Sequence, residues 1–266
     1  MTTFKKMSAA LLLTVTLLPA AGRLSAASAP VLIESGCIFG GNNNINNSAD
    51  LSVPDGVSNG LLLIRIQADT GSVPPASVSY DGVSLSPLAP TKTSDSGYLQ
   101  TWYLLKPSEG ETHPLVVVSK DGFQGHSWNV VEEFYGGVDL DHPFGAKAHG
   151  VIRESAAWSV RIKTRYDHSM VDDFLEVFSD PASFVPGGRQ VLDADAPWCG
   201  GGASANRGDR LSASKAGTQI LTYTLDTPKS GAYQVLEIRA ANAPPPVFSV
   251  SAEPVLKECP ADSESL

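Results

Sequence analysis

Apolar and polar residues alternate along much of this chain with a period of two, the spacing of a strand with one buried face. The clearest stretch is Ser77-Val78-Ser79-Tyr80-Asp81-Gly82-Val83-Ser84-Leu85. Asp81-Gly82 between two alternating runs predicts a tight hairpin, because both central positions of such a turn need positive φ. An aromatic run follows a polar loop: Tyr98-Leu99-Gln100-Thr101-Trp102-Tyr103-Leu104-Leu105, stopped at Lys106-Pro107, with Gly110 closing a turn. Trp102 and Leu104 share one face of this strand and Tyr103 takes the other, so Trp102 is expected in the core.

The same rhythm continues on both sides. Val31-Leu32-Ile33 opens a first strand that ends near Phe39, and the asparagine-rich segment 40–48 reads as a polar loop. Residues 61–67 are almost continuously apolar, which predicts a short central strand buried on both faces. Further strands are expected at 114–119, at 128–135, at 158–164, at 220–225 and at 233–239. Residues 170–179 fit a helix or a strand; Pro181 and Pro186 leave little helix length, so a strand is expected, with Asp172-Asp173 as a turn-and-edge pair. Residues 137–155 read as a polar loop, and 180–210 as a long loop with one short strand near Val191. No helix of convincing length emerges. The prediction is an all-β fold, an antiparallel two-sheet β-sandwich of jelly-roll type. One domain spans residues 28–240. Pro244-Pro245-Pro246 opens a proline-rich spacer and C-terminal tail, 241–266, whose last twenty residues read as an edge strand with a tail or as disorder.

The first residues stand apart from this pattern. Lys5 and Lys6 precede the apolar run 9–18, Pro19 breaks it, and small residues follow to Ala29. That is a signal peptide, 1–27, cleaved after Ala27 or Ala29; its apolar run is too short for a permanent transmembrane anchor. Its removal takes three cations and no acid, so the net charge of −9 becomes −12. An acidic surface argues against nucleic acid as a partner. The expected location is secreted, periplasmic or on the cell surface. Three cysteines, Cys37, Cys199 and Cys259, then meet an oxidising compartment. The ends of a sandwich often lie close, so Cys37–Cys259 is the preferred disulfide and Cys37–Cys199 the alternative; one cysteine is left over in either case.

Several of these residues together look like a family. The order Val78, Tyr80, Gly82, Leu85, then Trp102, Tyr103, Leu104, Pro107, Gly110, then Val116-Val117-Val118, resembles secreted bacterial β-sandwich modules of jelly-roll or Ig-like type and uncharacterised function. Val130, Tyr135, Gly137, Val138 and Pro143 resemble the following block of such modules. The likeness covers roughly residues 31–239. It implies export and a sandwich fold, and no reaction. The 193–210 segment and the cysteines depart from it.

The most site-like segment is Asp193-Ala194-Asp195-Ala196-Pro197-Trp198-Cys199 followed by three glycines. Asp193 and Asp195 could offer oxygens to calcium, and the Trp198 ring face matches a pyranose face. The bland alternative is a Gly-rich connection whose Trp covers the sandwich end. Asp139, Asp141 and His142 form a second acidic cluster, a calcium candidate or a solvated loop. Arg207-Gly208-Asp209 is a cell-receptor tripeptide that a turn explains as well. Neither a Gly-x-Ser-x-Gly elbow nor a His-Glu-x-x-His motif is present. Glu132 and Glu133 are adjacent, so they face opposite sides of a strand and cannot act as a pair. These observations lead to an exported, non-catalytic binding module for a glycan or protein ligand outside the cell, with no cofactor unless calcium. The alternatives are a jelly-roll polysaccharide hydrolase or lyase with acids from different strands, and a structural surface or appendage subunit.

Overall fold

The computed structural model describes residues 28–42, 46–68, 75–88, 91–92, 98–118, 127–178, 184–192 and 204–241. Among them every regular element is a strand: β1 (Val31–Asn42), β2 (Asn46–Ser52), β3 (Leu61–Ala68), β4 (Ser77–Tyr80), β5 (Val83–Ser84), β6 (Ser86–Pro87), β7 (Thr91–Lys92) and β8 (Tyr98–Leu105) come first. β9 (Thr112–Val118), β10 (Ser127–Gly136), β11 (Phe144–Thr164), β12 (Ser169–Phe178), β13 (Phe184–Pro186), β14 (Val191–Leu192), β15 (Ser204–Ala213) and β16 (Gly217–Ile238) complete the set. The predicted hairpin is present: β4 pairs with β5, and Asp81 and Gly82 have φ of 50° and 72°.

The strands form three antiparallel sheets, where the pattern suggested two. The middle sheet runs β1-β10-β3-β8-β6, with β7 also on β8; a smaller sheet runs β2-β9-β4-β5; the third runs β11-β16-β12-β15-β14, with β13 on β16. These orders do not establish a jelly-roll winding. The middle sheet is covered on both faces. Leu62, Ile64, Ile66, Trp102, Val130 and Phe134 pack against Leu51, Val78, Tyr80, Leu115 and Val117 of the smaller sheet. Leu61, Leu63 and Tyr135, on the opposite face, pack against Met170, Leu236 and Ile238 of the third. This is why residues 61–66 show no alternation: both sets of side chains are fully buried.

The third sheet folds over itself. β11 and β16 are a ribbon paired from Phe144↔Ile238 to Thr164↔Gly217, with register shifts between Ile152 and Ala157. Yet the Arg165 N–H donates to Glu237 at 2.9 Å, so the two ends of the ribbon lie side by side. The doubled ribbon encloses Trp158, Val160, Ile162, Val171, Leu175, Leu221, Tyr223 and Val235. The bend is built locally. Glu154 takes a positive φ of 39°, its N–H donates to Ser230 Oγ at 3.0 Å, and Trp158 Nε1 donates to the Ser155 carbonyl at 2.9 Å. Trp158 is therefore core.

Several boundaries differ from the sequence reading for one reason. Residues 144–155 are strand rather than loop, and the two segments 220–225 and 233–239 belong largely to one strand, β16. Polar residues at a bend look like a connection, while the ladder passes through them. β15 likewise starts at Ser204, inside the expected long loop, and carries Arg207-Gly208-Asp209 as strand positions opposite Leu175, Phe174 and Asp173. Asp172 and Asp173 are buried mid-strand in β12, with β15 on one side and β16 on the other, so they are neither a turn nor an edge.

Gly231 sits where the doubled ribbon meets β12. A Cβ there would collide with the Glu176 carbonyl oxygen and the Trp158 ring. The backbone atom cannot swing aside, so Gly231→Ala is expected to destabilise by about 2–3 kcal/mol, the upper part of the overpacking range, as read from urea denaturation midpoints.

Candidate functional site

The two ends of the stack differ. One end is closed by short hydrogen-bonded turns. Lys106 N–H donates to Gly60 O at 2.9 Å, Gly110 N–H to Val53 O at 3.0 Å, and Gly137 N–H to Ser58 O at 2.9 Å. Asn59, Lys106, Gly110 and Gly137 take the positive φ these turns require. The opposite end carries a second set of strand termini. Asn42 pairs with Ser127, Ala68 with both Trp128 and Tyr98, and Val118 with both Asn46 and Ser77. Phe178 pairs with Ser204 at that same end, because Glu176 of β12 and Gln67 of β3 meet across the sheets. The described strand ends that flank 43–45, 69–74, 93–97, 119–126 and 179–183 thus lie at one end of the molecule, as does the start of β15, which follows 193–203.

Polar clusters at the closed end are committed to structure. Asp81 Oδ2 accepts from Ser108 Oγ at 2.6 Å and Oδ1 stands 3.1 Å from His113 Nδ1, with His113 edge-on to Tyr80. Aspartate lies between serine and histidine here, so the histidine is not placed to take the serine proton, as a nucleophilic triad needs. Burial, then the Asp81 charge, raises the Tyr80 phenol above its usual range. Asp139 Oδ1 accepts from the N–H groups of Asp141 and His142, both at 3.1 Å, and Oδ2 pairs with Arg239 Nη2 at 2.8 Å. Arg239 lies 3.9 Å over the Tyr166 ring. Glu237, fully buried, accepts from the backbone N–H of Ala146, Arg165 and Tyr166 at 2.7 to 3.0 Å. Among the described residues no group of three His, Cys, Asp or Glu is placed to hold a metal ion.

Between the middle and third sheets lies a sealed polar seam. Arg65 on β3 donates from Nε to Glu133 Oε2 at 2.7 Å and pairs through Nη2 with Asp172 of β12. Arg65 Nη1 lies 3.5 Å from Thr101 Oγ1, and Thr101 donates to Gln234 of β16. Higher up, Gln67 accepts from Asn129 at 2.5 Å and donates to Glu176 at 2.7 Å. Leu99, Val131, Phe174 and Ala232 fill the space between, with the guanidinium 5.6 Å from the Phe174 ring centre. Arg65 and Asp172 have no exposed surface, so the seam is out of reach of solvent and any substrate.

A second acid stands where solvent can reach it. Glu132 on β10 faces Gly36 of the edge strand β1, and Glu34 faces Phe134, which puts the two carboxyl-bearing positions diagonally on one face. Burial first, and the Glu34 charge second, push the Glu132 carboxyl up to about 7. Gly36 leaves room for it: a Cβ there would come within 3.0 Å of Glu132 Oε1. This pair comes from two strands, so spacing within a single strand did not reveal it. The seam did leave a signal, since Arg65 and Gln67 interrupt an apolar run buried on both faces.

Of the two expected calcium ligands, Asp141 is exposed, whereas Asp139 is committed to the turn and to Arg239. Asp193, Asp195, Trp198, Cys199 and Cys259 lie outside the described residues, as do residues 1–27, where a signal peptide is expected. Cys37 lies on β1 opposite Val131. No family model, curated protein or solved structure matches the chain.

Two outcomes are expected from these sites. Arg65→Met leaves Glu133 and Asp172 without their shared cation, at a cost of about 3–5 kcal/mol in urea denaturation, and adding Glu133→Gln and Asp172→Asn restores part of it. For Glu132, the folded state retains a proton that the unfolded chain loses near its ordinary value of 4.5. Its contribution is therefore fully present below that value and is lost as pH rises to about 7 and just beyond. Melting temperature should fall by about 5 °C or more across this window relative to Glu132→Gln, whose side chain does not titrate.

Proposed function

We propose that this protein is an exported, non-catalytic binding module that meets a neutral ligand, a glycan by preference, at the end of the stack opposite the closed turns. One observation supports this above the others: strand ends from all three sheets lie at that end, flanking the segments that join them. A rigid stack carrying many connections at one end is a common way to build a recognition surface. Sequence places Trp198, Asp193 and Asp195 in one of these segments, and an aromatic ring beside hydrogen-bonding carboxylates suits a sugar. The jelly-roll class and the secreted bacterial module likeness fit the same reading.

A polysaccharide hydrolase or lyase is the second reading, favoured by Glu132 holding its proton near neutrality beside Glu34. Thermal shift of the exported chain against an oligosaccharide panel separates the two. A rise in melting temperature that Trp198→Ala abolishes supports the module. Release of reducing ends that Glu132→Gln abolishes supports the hydrolase instead, and no shift with any sugar removes glycans as the ligand.

A further inference from the structure

The stack has two outer faces, and they differ in charge. In the outer half of the doubled ribbon, Trp158, Val160, Ile162, Leu221 and Tyr223 point into the core, so the alternate positions point outward. Arg161, Lys163, Thr218, Ile220, Thr222 and Thr224 occupy such positions and are exposed. Arg161 pairs with Ile220, Lys163 with Thr218, and Val185 of β13 lies beside Thr224. Ile220 is 39% and Val185 56% exposed, an apolar spot beside the two cations. Arg165, also exposed, follows Lys163 at the ribbon tip.

The opposite outer face belongs to the smaller sheet. Leu51, Leu115, Val117, Val78 and Tyr80 turn toward the middle sheet, which leaves Asp50, Pro114, Val116 and Ser79 outward. Asp50 pairs with Pro114, and Val116 lies between Ser48 and Ser79. Asp50 is exposed, as are Asp55 and Glu111 beside it in the chain, and β2, β4, β5 and β9 hold no lysine or arginine. Between residues 28 and 146 the sequence has no cations but Arg65, Lys92, Lys106 and Lys120. Among the described residues, no ion pair engages Arg161, Lys163, Asp50, Asp55 or Glu111. Both charged sets lie toward the closed end. Gly110, next to Glu111, donates to Val53 O, and Arg165, past Lys163, reaches Glu237 near the Val138–Ala240 bridge.

We propose that copies of this chain stack face to face, the outer half-ribbon of one on the smaller sheet of the next, with their closed ends pointing the same way. Arg161 and Lys163 then come over Asp50 and Glu111 of the neighbour, and Ile220 and Val185 over Pro114 and Val116. The partner is a second copy because the matching charges stand on the opposite face of the same chain and at the same end. Copies with a net charge of −9 repel one another in most orientations, and this one sets unlike charges together. Two different faces meet, so the contact is head-to-tail and repeats along an open row instead of closing as a pair. The end proposed for ligand binding lies on neither face and stays open in every copy, so the row goes beyond that reading and does not depend on it.

The test is sedimentation velocity of the full exported chain at low salt, up to about 1 mM protein, where even weak contacts are populated. The mean sedimentation coefficient is expected to keep rising with concentration, and about 0.5 M salt is expected to weaken the association about tenfold or more. Arg161→Glu with Lys163→Glu abolishes stacking, and so does Asp50→Lys with Glu111→Lys. Mixing the two charge-reversed proteins restores association, because each still has one native face that the other can meet. The mixture also guards against misfolding, since an unfolded variant restores nothing while its melting curve shows the cause; single reversals, Lys163→Glu and Asp50→Lys, then take their place. A chain that stays monomeric at all concentrations overturns the proposal, as does a plateau at a closed dimer. Association that neither reversal changes, or that mixing two folded variants fails to restore, overturns it too.

Discussion

A guanidinium at the centre of a three-sheet stack must find inside the protein everything it gave up in water. Arg65 is fully buried, and its partners come from three strands: Glu133 from β10, Thr101 from β8 and Asp172 from β12. The first two fix the middle sheet internally, and the third fixes the middle sheet to the doubled ribbon. Side chains alternate along a strand, so sliding β12 by one residue would turn Asp172 away and leave the cation facing nothing. An apolar seam could have been as stable, since charge desolvation consumes most of the Coulombic gain. What the ionic seam adds is one alignment. Glu176 with Gln67 and Thr101 with Gln234 repeat the constraint above and beside it.

Much of the fold was visible in local chemistry. Asp81-Gly82 announced its turn because few residues accept positive φ at both positions. The run at 61–66 announced burial on both faces because it lacks polar alternation. The number of layers was not visible, since a strand covered twice reads the same in a two-sheet or a three-sheet protein. Asp172-Asp173 misled because adjacent acids are ordinarily solvated, and only their register against β15 and β16 shows them enclosed. The long strands misled in the opposite sense: residues 153–156 and 226–230 carry polar side chains suited to a loop, while the ladder curves through them. The acid pair was hidden because Glu34 and Glu132 meet only through strand pairing, and strand pairing across nearly a hundred positions has no local signature. Trp198 and its neighbours were legible as chemistry and not as geometry.

The two ends divide the work between them. Glycines and asparagine with positive φ let the closed end turn within a few residues, and carboxylates such as Glu237 and Asp139 absorb backbone N–H groups that those turns would leave open. The other end carries strand termini of all three sheets. It is also the end at which chemistry not needed for folding can accumulate, because length added to a surface connection costs little in closure entropy.

The pairing of distant segments has a consequence for how the chain comes to be folded. Val31 waits for Gly136, and Phe144 waits for Ile238, so neither β1 nor the first half of β11 has its neighbour until most of the intervening chain has been made. Topologies dominated by such distant pairings close slowly, on a scale of roughly milliseconds to seconds. A chain with this order of assembly stays open while it is being synthesised, and the ribbon that completes the third sheet is the last part to arrive.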